Sequence, residues 1–282
     1  MVRDGEGLLE LPLVSTSAGR SYKLVGSTFA ITGPQNVTLT DMSADSVSQP
    51  LMAGTYSIQL NGDWHVERTD APGVTVPVTL VSPNPMTFTL GEGEARPVRF
   101  LFKVPEDGTA NVGIGVDTGG WISGTIQFEP AVGPFPGEPP DFFAEVRGKA
   151  VPFLISFESA TVTRVSQSGY KRVEVLTSPI TVQFGGEPAA VLRQVSSAFQ
   201  GIPLYFSMEG GGPSSGRMNV LFLQSQSGSF TWELDVSRTL LNVDPEGYPL
   251  VTPFSFEQAD TMIVRQYMGN ASGVMNGTFA PR

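Results

Sequence analysis

The sequence predicts an all-β fold in which two antiparallel β-sandwich domains are joined by a proline-rich linker, with one short helix in the second domain. Three observations support this prediction: apolar and polar residues alternate with a period of two, turn-forming residues separate the alternating runs, and prolines cluster near the middle of the chain. Short alternating runs at such intervals are typical of sandwiches and barrels rather than of βαβ units.

The alternation is clearest in three runs, 54–60, 98–103 and 231–236. Because successive side chains of a strand point to opposite faces, each run predicts a strand that buries one face and exposes the other. In the first run, Tyr56 and Ile58 are expected in the core. In the third, Trp232 is expected inside, with Glu233 and Asp235 on the solvent face.

The dipeptide Asn61-Gly62 directly follows the first run. It favours a two-residue hairpin turn, since both of its residues tolerate a positive φ. We therefore predict a hairpin whose returning strand carries Trp64, with the indole packed across the pair near Tyr56 or Ile58.

Domain boundaries are predicted from the prolines in and around residues 131–140. Proline lacks an amide donor and fixes φ, so this segment is not expected inside a sheet. It predicts an extended linker between a first domain, 1–130, and a second domain, 141–282, both of ordinary domain size. A long loop within one sandwich is the alternative.

One helix is predicted near residues 188–200. Pro188 suits the first turn of a helix, and Gly201 suits a left-handed residue after its end. The apolar residues between them have the spacing of one helical face; they are Val191, Leu192, Val195 and Phe199. We expect this helix to cover an open end or edge of the second sandwich.

Composition excludes several classes of protein. With 40% hydrophobic residues and only 16% charged ones, the chain is not disordered. A net charge of −10 without basic blocks argues against partners that are nucleic acids or anionic lipid surfaces. The absence of cysteine excludes disulfides, thiolate metal sites and cysteine nucleophiles. No apolar run has the length of a membrane helix, so no transmembrane segment is expected.

No catalytic residue, metal ligand set or cofactor is assigned from the sequence. The single histidine, His65, lies in an alternating run and is interpreted as a surface residue of a strand. Paired carboxylates remain candidates for glycoside hydrolysis, which needs neither His nor Cys. The candidate pairs are Asp41 with Asp45, Glu106 with Asp107, Glu233 with Asp235, and Glu257 with Asp260.

Two aromatic residues are the candidate binding residues. Trp121 is surrounded by Gly and Ser, which would leave its ring exposed and able to stack on a sugar. Tyr248 follows the turn sequence 244–247 and is the second exposed candidate.

The segment 51–64, with the later segments 80–85, 244–249 and 253–256, resembles uncharacterised myxobacterial secreted lipoproteins. The Gly54-Thr55-Tyr56 step before an alternating strand is also similar to transthyretin-like and carboxypeptidase-regulatory-like sandwiches. The resemblance implies an extracytoplasmic protein of the periplasm, outer membrane or cell surface, tethered by a lipidated N-terminal cysteine. This sequence contains no cysteine, so such an anchor would belong to another part of the precursor.

These observations predict a non-catalytic protein of the bacterial envelope or surface, with a binding or structural role toward a protein or glycan partner. Two alternatives remain open. One is an extracellular glycan-active hydrolase that uses a carboxylate pair. The other is an assembly subunit whose exposed strand edges pair between chains.

Overall fold

The computed structural model describes residues 3–17, 20–41, 43–106, 110–113, 120–131, 140–167, 169–186, 189–210 and 215–280. Within them most residues lie in strands and the structure has one α-helix, so the predicted all-β fold is confirmed. The chain divides into two compact units: Met1–Asp117 with Gln183–Pro188, and Thr118–Val182 with Ala189–Arg282. Residues 132–139 of the predicted linker lie outside the described residues.

The first unit contains fourteen strands in its described part. They are β1 (Glu6–Pro12), β2 (Val14–Ser17), β3 (Arg20–Val25), β4 (Thr28–Thr32), β5 (Val37–Leu39), β6 (Ser46–Met52), β7 (Gly54–Asn61), β8 (His65–Arg68), β9 (Ala71–Val76), β10 (Thr79–Leu80), β11 (Met86–Leu90), β12 (Ala95–Pro97), β13 (Phe102–Glu106) and β14 (Ala110–Gly113). They form four sheets, ordered β12-β1-β6, β10-β13-β14, β11-β7-β4-β5 and β2-β3-β8-β9. Every pair is antiparallel except β1 with β12.

The core of the first unit follows the predicted alternation. Tyr56 and Ile58 are fully buried, and the Tyr56 ring stacks on Phe88 with a centroid distance of 5.5 Å. The Tyr56 hydroxyl donates a 2.7 Å hydrogen bond to the carbonyl oxygen of Met52. Its polar end is therefore satisfied inside an apolar cluster, as a buried tyrosine requires.

The predicted hairpin at Asn61-Gly62 is wrong. Strand β7 pairs with β4 on one edge and β11 on the other, whereas β8 pairs with β3 and β9 in a different sheet. Because both edges of β7 are occupied, β8 has no free edge to join. Gly62 does adopt a positive φ of 89°, but the chain leaves the sheet there. Trp64 packs edge-on against Phe102 at a centroid distance of 5.2 Å, at the margin of the core cluster.

The second unit contains two larger sheets and the helix. Its elements are β15 (Gly120–Phe128), β16 (Ala150–Phe157), β17 (Ala160–Gln167), β18 (Tyr170–Pro179), the first half of β19 (Thr181–Phe184), α1 (Ala190–Phe199), β20 (Pro203–Gly210), β21 (Gly216–Met218), β22 (Leu221–Gln224), β23 (Phe230–Asp235), β24 (Leu240–Leu241), β25 (Phe254–Arg265) and β26 (Gly269–Ala280). The seven-stranded sheet has the order β19-β16-β15-β26-β25-β23-β22. The five-stranded sheet has the order β17-β18-β20-β21-β24.

Strand β15 lies in the interior of the seven-stranded sheet, although its residues fall within the first predicted domain. It pairs with β16 on one edge and with β26 on the other. Gly124 lies opposite Gly277, and a Cβ atom on Gly277 would come within 2.1 Å of the Ser123 carbonyl oxygen. Only glycine fits such a close backbone approach within a sheet.

Helix α1 is confirmed near its predicted position. Its buried residues are the four expected ones, Val191, Leu192, Val195 and Phe199. Gly201 follows with a φ of 79°. The Phe199 ring packs 6.2 Å from the Trp232 ring, so the helix covers the core side of the seven-stranded sheet. At its start, the carboxylate of Glu145 accepts a 3.2 Å hydrogen bond from the Val191 amide.

Candidate functional site

The exposure expected of Trp121 is wrong. Trp121 is 5% exposed, although the alternation of β15 places it on the face opposite to Ile122 and Ile126. The flanking small residues allow close strand packing instead of opening the ring to solvent. A buried indole presents no face for stacking on a ligand.

Tyr248 is also buried, at 8% exposure. The guanidinium carbon of Arg164 and the ammonium nitrogen of Lys171 each lie 4.9 Å from its ring centroid. Asp244 fixes the preceding turn by accepting from the Tyr248 amide at 2.9 Å, and it pairs with Arg164 at 2.9 Å. The two cations cover the ring through cation–π contacts. Tyr248 therefore has a structural role and offers no exposed face to a ligand.

His65 makes a local hydrogen bond to a carboxylate of its own strand. Its Nε2 lies 2.7 Å from Oε1 of Glu67, and Oε2 of Glu67 accepts from the Gly73 amide at 2.8 Å. The Gly73 hydrogen bond, followed by that of His65, lowers the pKa of the Glu67 carboxyl. The hydrogen bond between Glu67 and Gly73 links β8 to β9.

Asp235 and Asp260, which belong to different candidate pairs, lie on neighbouring strands. Asp235 on β23 lies directly opposite Asp260 on β25. Opposed like charges destabilise a sheet, and each acid here has its own partner. Asp235 accepts from the Ser237 amide at 3.0 Å, and Asp260 pairs with Arg238 at 3.0 Å. Asp107, another candidate, lies outside the described residues.

Asp41 and Asp45, another candidate pair, each have a local partner. Asp41 accepts from the Ser43 amide and hydroxyl at 3.1 and 2.7 Å, and Asp45 pairs with Lys23 at 2.9 Å. The hydrogen bonds from Ser43 lower the pKa of Asp41. Among the described residues, no group of three or more His, Asp or Glu side chains is placed to hold a metal ion.

The best candidate site lies on the solvent side of the five-stranded sheet, here called the outer face. Cross-strand pairing sets its members, because residues directly opposite in a sheet share a face. Val165 pairs with Arg172, Arg172 with Glu209, and Glu209 with Arg217. Val173 and Val175, which alternate with these positions on β18, are buried against the core.

A pocket of about 350 Å³ opens on the outer face. Its lining comes from the three neighbouring strands β17, β18 and β20; the residues are Val165, Gln167, Tyr170, Arg172 and Glu209. Tyr170 is 72% exposed, so most of its ring is free. Arg172 pairs with Glu174 at 2.5 Å, which fixes the guanidinium on the face. Asn219 donates to Glu209 at 3.3 Å.

This constellation combines an exposed aromatic ring with a cation, a carboxylate and an amide. The arginine provides only donors, the carboxylate only acceptors, and the amide both. Further along the same strands, Leu176 on β18 and Tyr205 on β20 lie directly opposite each other, and both are exposed. The alternation of β18 in the sequence indicates which of its own residues are exposed. It does not indicate which residues of β17 and β20 lie beside them, because that depends on the strand register.

No protein-family model, curated protein or solved structure matches the chain. The resemblance to myxobacterial secreted lipoproteins therefore stays a prediction, and the class of protein defined here is that of the fold alone, an all-β chain. Within the described residues, no helix is long and apolar enough to cross a membrane.

Proposed function

We propose that this chain is a non-catalytic binding protein whose outer-face pocket takes a carbohydrate ligand. The observation that carries the proposal is the placement of the exposed Tyr170 ring beside Arg172 and Glu209 in one pocket of about 350 Å³. The apolar face of a tyrosine ring packs against the C–H face of a sugar, while the charged groups bond its hydroxyls. Pockets with an apolar surface and a few convergent polar groups are the usual form of a small-ligand site.

Binding is favoured over hydrolysis by the same residues. Glycoside hydrolysis in its usual form uses two carboxyl groups, one on each side of the scissile bond. Glu209 is the single carboxylate among the residues that line the pocket. A neighbouring carboxylate, Glu174, is paired with Arg172 and does not line the pocket.

The proposed location is the bacterial envelope or cell surface. Its support is the sequence resemblance in segments 51–64 and 244–249 to secreted lipoproteins. Fractionation of the producing cells, followed by detection of the chain, tests this location independently of binding. Recovery with the cytoplasmic fraction would contradict it.

A glycan array with the purified chain tests the binding role. The wild type is expected to retain a defined set of glycans. Y170A should lose at least about tenfold in affinity because it removes the ring, whereas Y170F should retain most of it. The matched control is Y267A, since Tyr267 is 95% exposed in the turn between β25 and β26. An array on which no glycan is retained, or equal binding by Y170A and wild type, would overturn the proposal.

A further inference from the structure

The free edge of β17 differs from the other long sheet edges in the described residues. Strand β17 lies at the end of the five-stranded sheet and pairs only with β18. The edge strands of six or more residues are β6, β9 and β17. Strand β6 contains Pro50 and β9 contains Pro72, whereas β17 contains no proline. Proline is a common device that stops an edge from pairing with another chain.

Charge does not protect this edge either. The single charged residue of β17 is Arg164. Its guanidinium is drawn away to Asp244 at 2.9 Å and Glu246 at 3.6 Å, on the core side of the sheet. The opposite edge strand, β24, has only two residues. The backbone amides and carbonyls along the outer edge of β17 therefore form the long pairing surface of this sheet.

The side chains of β17 suit pairing with a second copy of itself. When two antiparallel edges pair, residues directly opposite each other lie on the same face of the joined sheet. In a two-fold arrangement of identical strands this requires the symmetry axis to pass through a residue, not between two residues. An axis at Arg164 would oppose two guanidinium groups. An axis at Thr163 places Thr163 opposite its own copy and Thr161 opposite Val165 of the second chain, which are favourable β-branched pairs.

We propose that two chains associate through antiparallel pairing of their β17 strands, centred on Thr163, into one continuous ten-stranded sheet. The occupant of the edge is a second copy because the central register is self-complementary and free of opposed charges. Val165 and Gln167 line the pocket on the outer face, so the pairing would bring two pockets next to the same seam. The association does not depend on what the pockets bind.

Sedimentation of the full chain over a range of concentrations tests the proposal. The wild type is expected to form dimers, and T163K should weaken dimerisation at least about tenfold because it places like charges opposite each other. T163E should do the same. Thr163 is exposed, so both variants are expected to fold, which circular dichroism will verify. T252K, at an exposed position outside every strand, is the matched control.

Mixing T163K with T163E provides the decisive measurement. Opposite charges at the central pair should restore a dimer that contains one chain of each kind. A wild type that stays monomeric at its highest soluble concentration would overturn the proposal. So would a dimer that T163K leaves intact, or a mixture of the two variants that remains monomeric.

Discussion

The indole Nε1 of Trp232 donates a 3.0 Å hydrogen bond to Oγ1 of Thr261, across the pair formed by β23 and β25. The same hydroxyl donates at 2.7 Å to the carbonyl oxygen of Glu233. Trp232 is fully buried, and its ring also packs 5.6 Å from Phe153. The threonine thus satisfies the polar edge of a fully buried tryptophan in the second unit.

Replacing Thr261 with valine should cost about 1–3 kcal/mol, because the buried indole N–H loses its acceptor while the shape of the side chain is kept. Urea denaturation measures this loss. T261S, which keeps the hydroxyl, should cost less than T261V. In a W232F background the T261V cost should shrink, and an unchanged cost there would show that the hydrogen bond to the indole is not its source.

Trp121 is expected to be a stability determinant rather than a binding residue. W121A should lower the free energy of unfolding by about 3–5 kcal/mol, since it removes a large buried side chain. The exposed control Y267A should stay within about 0.5 kcal/mol of the wild type. An unchanged urea midpoint for W121A would contradict the burial of this ring.

The contact between Glu145 and the start of α1 is a helix cap provided by a distant segment. E145A should destabilise the second unit by about 0.5–2 kcal/mol, because the Val191 amide loses its acceptor and the helix dipole loses a nearby negative charge. E145Q keeps an acceptor and should fall between E145A and the wild type. The control is E257A on the exposed side of β25. Equal stability of E145A and E257A would rule out a capping role.

Acid is expected to weaken the contact between Asp141 and Arg147. The two side chains pair at 2.8 Å, and this hydrogen bond is the main reason that the pKa of Asp141 lies below its ordinary value of 3.8. Because the folded-state pKa is the lower one, the contribution is complete above the unfolded-state pKa and is lost as the pH falls through the folded-state pKa.

Comparing D141N with the wild type by urea denaturation at several pH values isolates this contribution. The variant should be less stable at neutral pH, and the difference should shrink below about pH 4. A difference that stays constant across the acid range would show that the charge of Asp141 does not stabilise the fold.

The features that could be predicted from the sequence are those set by local periodicity. A period of two decides which residues of a strand share a face, so the burial of Tyr56 and Trp232 follows from the sequence alone. The apolar spacing of helix α1 is equally local, and Gly201 marks its end. These predictions need no knowledge of the neighbouring strands.

The predictions that were wrong concern contacts between segments that are distant in sequence. Asn61-Gly62 has the local chemistry of a hairpin turn, but the occupied edges of β7 decide where β8 goes. The surroundings of Trp121 are set by β16 and β26, which no short motif identifies. The pocket needs the register of three strands at once, so Tyr170 and Glu209 could not be brought together from the pattern of either strand.

The interior position of β15 carries a kinetic consequence. Trp121 pairs with Ala280, so the strand that begins the second unit stays incomplete until nearly all of the unit has been synthesised. Contacts between such remote segments slow folding, since the entropy of closing a long loop is lost before the contacts form. During that delay the apolar side chains of β15 are exposed and can form non-native contacts or aggregate. Slow expression at low temperature is therefore expected to raise the yield of native protein.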